Sequence, residues 1–159
     1  MRMFRSSARG FTFVELVVAT AVMMILASAA MPLVRVSMKR QKEAELRYDL
    51  RQVRDAIDQF KMWADNGRIA AHELQFGGEG YPSSLEQLVE GVTLTNDVSG
   101  RKKKFLRRIP MDPMTGSTDW GLRSYTDAAD AKAWGGTSVF DIYTKSPSKA
   151  LNGTKYRDW

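Results

Sequence analysis

The chain opens on a short basic and polar stretch (1–10) and then turns apolar. From 11 to 34 only Thr12, Glu15, Thr20 and Ser28 interrupt the hydrophobic run, and 16–34 is 19 residues without a charge. That is close to the shortest length that spans a bilayer as a helix. At the usual rise per residue a helix over 11–34 would be about 36 Å long. Arg35, Lys39, Arg40 and Lys42 then end the run.

From 35 to about 64 charge is dense, but the apolar positions are periodic. Leu46, Leu50, Val53, Ile57 and Phe60 recur at spacings of 4, 3, 4 and 3, which gives a helix with one apolar face. This predicts a helix continuing from the apolar run as one rod, its second half packed under a small sheet. The stripe stops at Phe60, which argues against a coiled coil. On the outer face, Glu43 with Arg47 and Arg51 with Asp55 are spaced as i,i+4 ion pairs, each worth tenths of a kcal/mol.

Asp65-Asn66-Gly67 reads as the helix stop. Residues 68–82 read as a loop, punctuated by Gly77-Gly78-Glu79-Gly80 and Tyr81-Pro82. Ser83-Ser84-Leu85-Glu86 matches a capping box and predicts a short helix to about Glu90. A polar, basic linker over 91–108 follows, ending at Phe105-Leu106. The turn-rich segment 109–116 leads through Trp120-Gly121 into a predicted strand at 122–126. Residues 139–143 alternate as a second, half-buried strand, and Asn152-Gly153 supplies a turn near the end. The expected fold class is α+β: a long N-terminal helix, apolar then amphipathic, packed on a small antiparallel sheet head. The expected divisions are 1–10, 11–34, 35–64 and 65–159.

Hydrophobic content of 43% and charged content of 26% are ordinary for a globular protein and exclude a disordered tail or a multi-span membrane protein. The formal charge of +6 is partly the opening stretch. The 24 basic residues fall to 21 without Arg2, Arg5 and Arg9, against 18 acidic ones. Only Arg101-Lys102-Lys103-Lys104 with Arg107-Arg108 is densely basic. It reads as a solvated loop before it reads as a contact for acidic partners or phosphates, and nucleic-acid binding is not expected. There is no cysteine, so no disulfide supplements the core. His72 is the only histidine, and no nucleophilic elbow or phosphate-binding glycine loop is present. Asp112 and Asp141 read as loop-ordering carboxylates, and no enzyme is expected.

Three readings compete for the N-terminus: a secretory signal peptide, for which Ala27-Ser28-Ala29 offers a cleavage site; a plain membrane anchor; and a precursor cut before its apolar stretch. Glu15 separates them. An ionised carboxylate near the centre of an apolar span costs at least about 2.5 kcal/mol, and neither a signal peptide nor an anchor gains from it. Gly10-Phe11-Thr12-Phe13-Val14-Glu15-Leu16 resembles the type IV prepilin signature, with Phe13 in place of a more usual leucine. The resemblance implies that prepilin peptidase cleaves between Gly10 and Phe11 and that Phe11 becomes N-methylated. It also gives Glu15 and Pro32 roles in assembly. The carboxylate would pair with the Phe11 amine of a neighbouring copy and set the axial stagger, because an unpaired buried charge costs about 3–5 kcal/mol. For Pro32 two readings stand. Its missing hydrogen bond kinks the helix at the membrane exit, or, as the resemblance implies, loosens it inside a filament.

Tyr81-Pro82 before the capping box, Pro110-Met111-Asp112-Pro113, Trp120-Gly121 and Phe140-Asp141-Ile142-Tyr143 are similar to the major pseudopilin of type II secretion. That resemblance implies a pseudopilus subunit that forms a homo-oligomeric filament with other pseudopilins on an inner-membrane assembly platform. The subunit would cross the inner membrane once, with its head in the periplasm. A type IV pilin for adhesion, motility or DNA uptake is the alternative, and a secreted binding module is a further one. The resemblance also implies a calcium loop after the second strand. Here 144–149 lacks the acidic residue, and Lys145, Lys149, Lys155 and Arg157 oppose a cation. Asn152 and Asp158 are the remaining side-chain candidates for calcium, and otherwise no cofactor is expected.

Overall fold

A computed structural model describes residues 10–95, 100–128, 130–131 and 133–159. The expected basic leader therefore lies outside the described residues except for Gly10, as does 96–99 of the expected linker. The fold is α+β, with one long helix and a two-stranded antiparallel sheet. Helix α1 runs Phe13–Asp65 with Pro32 inside it. The chain forms two compact units that divide between Lys39 and Arg40.

In the first unit the apolar side chains of α1 from Phe13 to Val34 are exposed wherever they are described. By length and composition this helix is able to cross a membrane.

In the second unit the periodic stripe does what its spacing predicts. Leu46, Leu50, Val53, Ile57 and Phe60 are all buried and share one core with Leu88, Val92, Trp120, Val139, Ile142 and Tyr156. The helix stops where Gly67 takes φ +65°. Its N–H bonds the Ala64 carbonyl and the Arg68 N–H bonds that of Trp63, which satisfies two terminal carbonyls in a Schellman arrangement. A short helix, α2, spans Leu85–Glu90. Its cap sits one residue later than the sequence reading placed it. Ser84 accepts the Gln87 N–H, while the Gln87 side-chain oxygen accepts from the N–H and hydroxyl of Ser83.

Strands β1 (Gly121–Arg123) and β2 (Asp141–Tyr143) pair with Leu122 opposite Ile142. Both are shorter than the predicted 122–126 and 139–143. The first is cut short because Asp127 folds back: its carboxylate accepts the Ser124 N–H at 2.7 Å and the Gly135 N–H at 3.0 Å. The second begins late because the Val139 N–H turns to the Pro82 carbonyl at 2.8 Å. The expected loop at 68–82 and linker at 91–108 carry more order than their composition suggests. Ile69 bridges Leu94, Val92 bridges Lys103, and a 3-10 turn occupies Ala71–Glu73.

The outer-face ion pairs are a correction. Neither Glu43 with Arg47 nor Arg51 with Asp55 forms a salt bridge among the described residues. Glu43 instead accepts from the Leu151 N–H and the Tyr156 hydroxyl, and Arg47 lies over the Trp159 ring. Both side chains serve the C-terminal segment, which sequence spacing does not see.

Candidate processing and assembly segment

Gly10, Phe11 and Thr12 precede α1 and are exposed, Phe11 by 81%. Thr12 starts the helix. Its hydroxyl accepts the Glu15 N–H at 3.2 Å and its carbonyl the Leu16 N–H at 3.1 Å. Thr12 is thus the N-cap and Glu15 the third helical residue, where an acid also favours the positive end of the helix dipole. Within the apolar run Glu15 stands out only as a charge. The Thr-x-x-Glu spacing is the signal that identifies the cap as well.

Gly10, Phe11, Thr12 and Glu15 line one open hollow of about 530 Å³. The peptide bond expected to be cut and the carboxylate expected to receive the new amine therefore belong to the same neighbourhood. Pro32 does not. It lies 17 residues beyond Glu15, about 26 Å along a regular helix, and its ring withdraws the amide that would bond the Ser28 carbonyl. Phe13, Val14, Leu16, Val17 and Val18 are each about half exposed or more.

The head holds its charged groups in structural work. Asp112 is completely buried; it accepts the Met114 N–H at 2.8 Å and hydroxyls of Thr115 and Thr144. It thereby orders the Pro-x-Asp-Pro turn, which Trp120 also holds by donating its ring N–H to the Pro110 carbonyl at 3.0 Å. Asp141 lies between two guanidinium groups, Arg54 at 2.7 Å and Arg123 at 3.3 Å. Arg54 also donates to the main-chain oxygens of Ile142 and Trp159, so one α1 side chain ties the helix to β2 and to the end of the described chain. The alternating strand pattern gives no hint of this clamp. An acid on the outer side of a short strand is its only trace in the sequence.

The remaining candidates are more dispersed. His72 is 71% exposed and 3.7 Å from Glu73. In the basic run Arg101, Lys102, Lys104, Arg107 and Arg108 are exposed, while Lys103 lies over the rings of Trp63 and Phe105. Asn152 turns its side-chain oxygen onto the N–H and hydroxyl of Thr154, and Asp158 closes a 3-10 turn at Tyr156–Asp158. Among the described residues no group of three or more His, Cys, Asp or Glu side chains is placed to hold a metal ion.

Comparison with known proteins gives one positive finding. Residues 5–31 match the prokaryotic N-terminal methylation motif, a span that contains Gly10, Phe11 and Glu15. No curated protein and no solved structure matches the chain. The motif and the long apolar helix fit a membrane-anchored protein. Together they support a place for this chain in the type IV pilin-like superfamily, as a prepilin-type structural subunit rather than an enzyme.

Proposed function

We propose that the chain is a structural subunit of a type II secretion pseudopilus, whose filament drives export of folded proteins. The observation that carries this reading is the exposed apolar start of α1, which the methylation motif overlaps, with Gly10, Phe11 and Glu15 around one hollow. Exposed apolar side chains along a helix of this length suit lipid and then copies of the same helix as surroundings.

In this reading prepilin peptidase cuts between Gly10 and Phe11 and the new amine is methylated. The Glu15 carboxylate then pairs with the Phe11 amine of an adjoining copy, and Pro32 loosens the helix within the filament. An inner-membrane platform and other pseudopilins complete the machine, with the head on the periplasmic side. The secretion reading is favoured over a pilus by the Pro-x-Asp-Pro turn, ordered here on a fully buried Asp112, and by a head closed without cysteine.

Deleting the gene and assaying both exported proteins and surface pili tests the choice. Loss of secretion with intact piliation is expected. Loss of pili with normal secretion would assign the chain to a type IV pilus instead.

A further inference from the structure

Asn-Gly occurs twice in the chain, at Asn66-Gly67 and Asn152-Gly153, and the two side-chain amides are held in opposite ways. Asn66 follows directly on α1, and its Nδ2 donates to the Met62 carbonyl at 2.7 Å. Among the described residues no donor reaches its Oδ1, and the helix-ending bonds of Gly67 and Arg68 fix the backbone beside it. Asn152 stands instead in the exposed turn of a small hairpin. The Ala150 N–H donates to the Thr154 carbonyl at 2.8 Å, the Gly153 N–H to the Ala150 carbonyl at 3.0 Å, and Lys149 bridges Lys155. Gly153 sits at φ +87°, which glycine adopts without strain. Here the amide oxygen is the bonded atom. Oδ1 accepts the Thr154 N–H at 3.1 Å and the Thr154 hydroxyl at 2.7 Å, while Nδ2 has no acceptor among the described residues. The hydroxyl is itself oriented, because Trp159 donates its ring N–H to it at 2.8 Å and leaves its proton to Asn152.

We propose that Asn152 is a self-modifying site, which water alone converts to aspartate and isoaspartate. The Gly153 nitrogen bonds to Asn152 Cγ and gives its proton to solvent. The Cγ–Nδ2 bond breaks, Nδ2 takes up a proton, and ammonia leaves behind a succinimide ring. Water then opens the ring at either carbonyl, which yields aspartate or isoaspartate without any oxidant or cofactor. Negative charge develops on Oδ1 as the nitrogen attacks, and two donors already point at that atom. The untied Nδ2 departs without breaking a bond to the protein. Only the Gly153 N–H bond must first be released, and a short exposed hairpin opens more readily than the end of a long packed helix. Each conversion sets a carboxylate in the turn between Lys149 and Lys155, two exposed like charges that face each other with no ion pair among the described residues. The reaction needs neither a partner nor an assembled state.

The test incubates the full-length protein in detergent at mildly alkaline pH and follows both Asn-Gly sites by peptide mass spectrometry. Wild type is compared with Thr154→Val, which keeps the shape and loses the hydroxyl, and with Thr154→Ser, which keeps the hydroxyl. Asn66 serves in every sample as the internal reference. Conversion at Asn152 should run well ahead of conversion at Asn66. It should slow about fivefold in Thr154→Val, the rate equivalent of one ordinary hydrogen bond, and stay near wild type in Thr154→Ser, with the Asn66 rate the same in all three. Asn152 converting no faster than Asn66 would overturn the proposal. So would a Thr154→Val chain that converts at the wild-type rate or faster, since the oriented hydroxyl would then contribute nothing.

Discussion

At the scale of single residues, the proposed function gives Glu15 two jobs that substitution separates. As a helix-starting residue it needs only a compatible first-turn side chain, while as a partner for the Phe11 amine it needs a negative charge. Glu15→Gln keeps the shape and the main-chain N–H that Thr12 caps, so it should be cleaved normally and assemble as poorly as Glu15→Ala. Filament counts and the mass of the processed subunit report both steps; wild-type assembly from Glu15→Gln would reduce Glu15 to a first-turn helix residue. A second residue makes a prediction about pH. Glu73 accepts the Thr93 N–H at 3.0 Å and its hydroxyl at 2.9 Å, and these bonds hold its carboxyl below the ordinary glutamate value. A lowered folded value means that the stabilisation is complete above about 4.5 and is lost as pH falls through the folded value. The gap in melting temperature between wild type and Glu73→Gln should therefore be widest near neutrality and close in acid. A gap that stays constant into strong acid would contradict the assignment.

At the scale of elements, the long helix is the most legible part of the chain. A 4-3-4-3 stripe leaves one way to bury Leu46 through Phe60, and the turn chemistry at Asn66-Gly67 ends the helix within a residue of where it was expected. The strands are less legible because their ends are set by partners remote in sequence. The fold-back of Asp127 and the Pro82 carbonyl trim them, and the Arg54–Asp141–Arg123 clamp joins residues that no local pattern connects. Capping was read one residue off because Ser83 and Ser84 both fit, and only the contacts of Gln87 decide. Between the strands Gly121 faces Tyr143, and a methyl group there would lie within 2.3–2.7 Å of the ring. Gly121→Ala should cost about 1–3 kcal/mol by overpacking, read as a lower melting temperature without any effect on cleavage. An unchanged melting temperature would show that the ring moves aside freely.

At the scale of the molecule, the two units divide the work. The second has its own core and satisfies most of its buried polar groups internally, with the buried atoms Arg123 Nε and Ser124 Oγ as exceptions among the described residues. The first contributes no residue to that core, and its described apolar side chains are exposed. The methylation motif was legible because it is a contiguous run of residues, and the match covers Gly10, Phe11 and Glu15. A contact between copies would leave no periodic trace beyond an acid where hydrophobic residues are expected. The most direct test of this account is the mass of the N-terminal peptide from protein purified from cells that carry the processing peptidase. The account predicts a chain that begins at N-methylated Phe11. A chain that still begins at Met1, or one that begins at Ala30 or Met31 after a conventional signal-peptide cut, would contradict it.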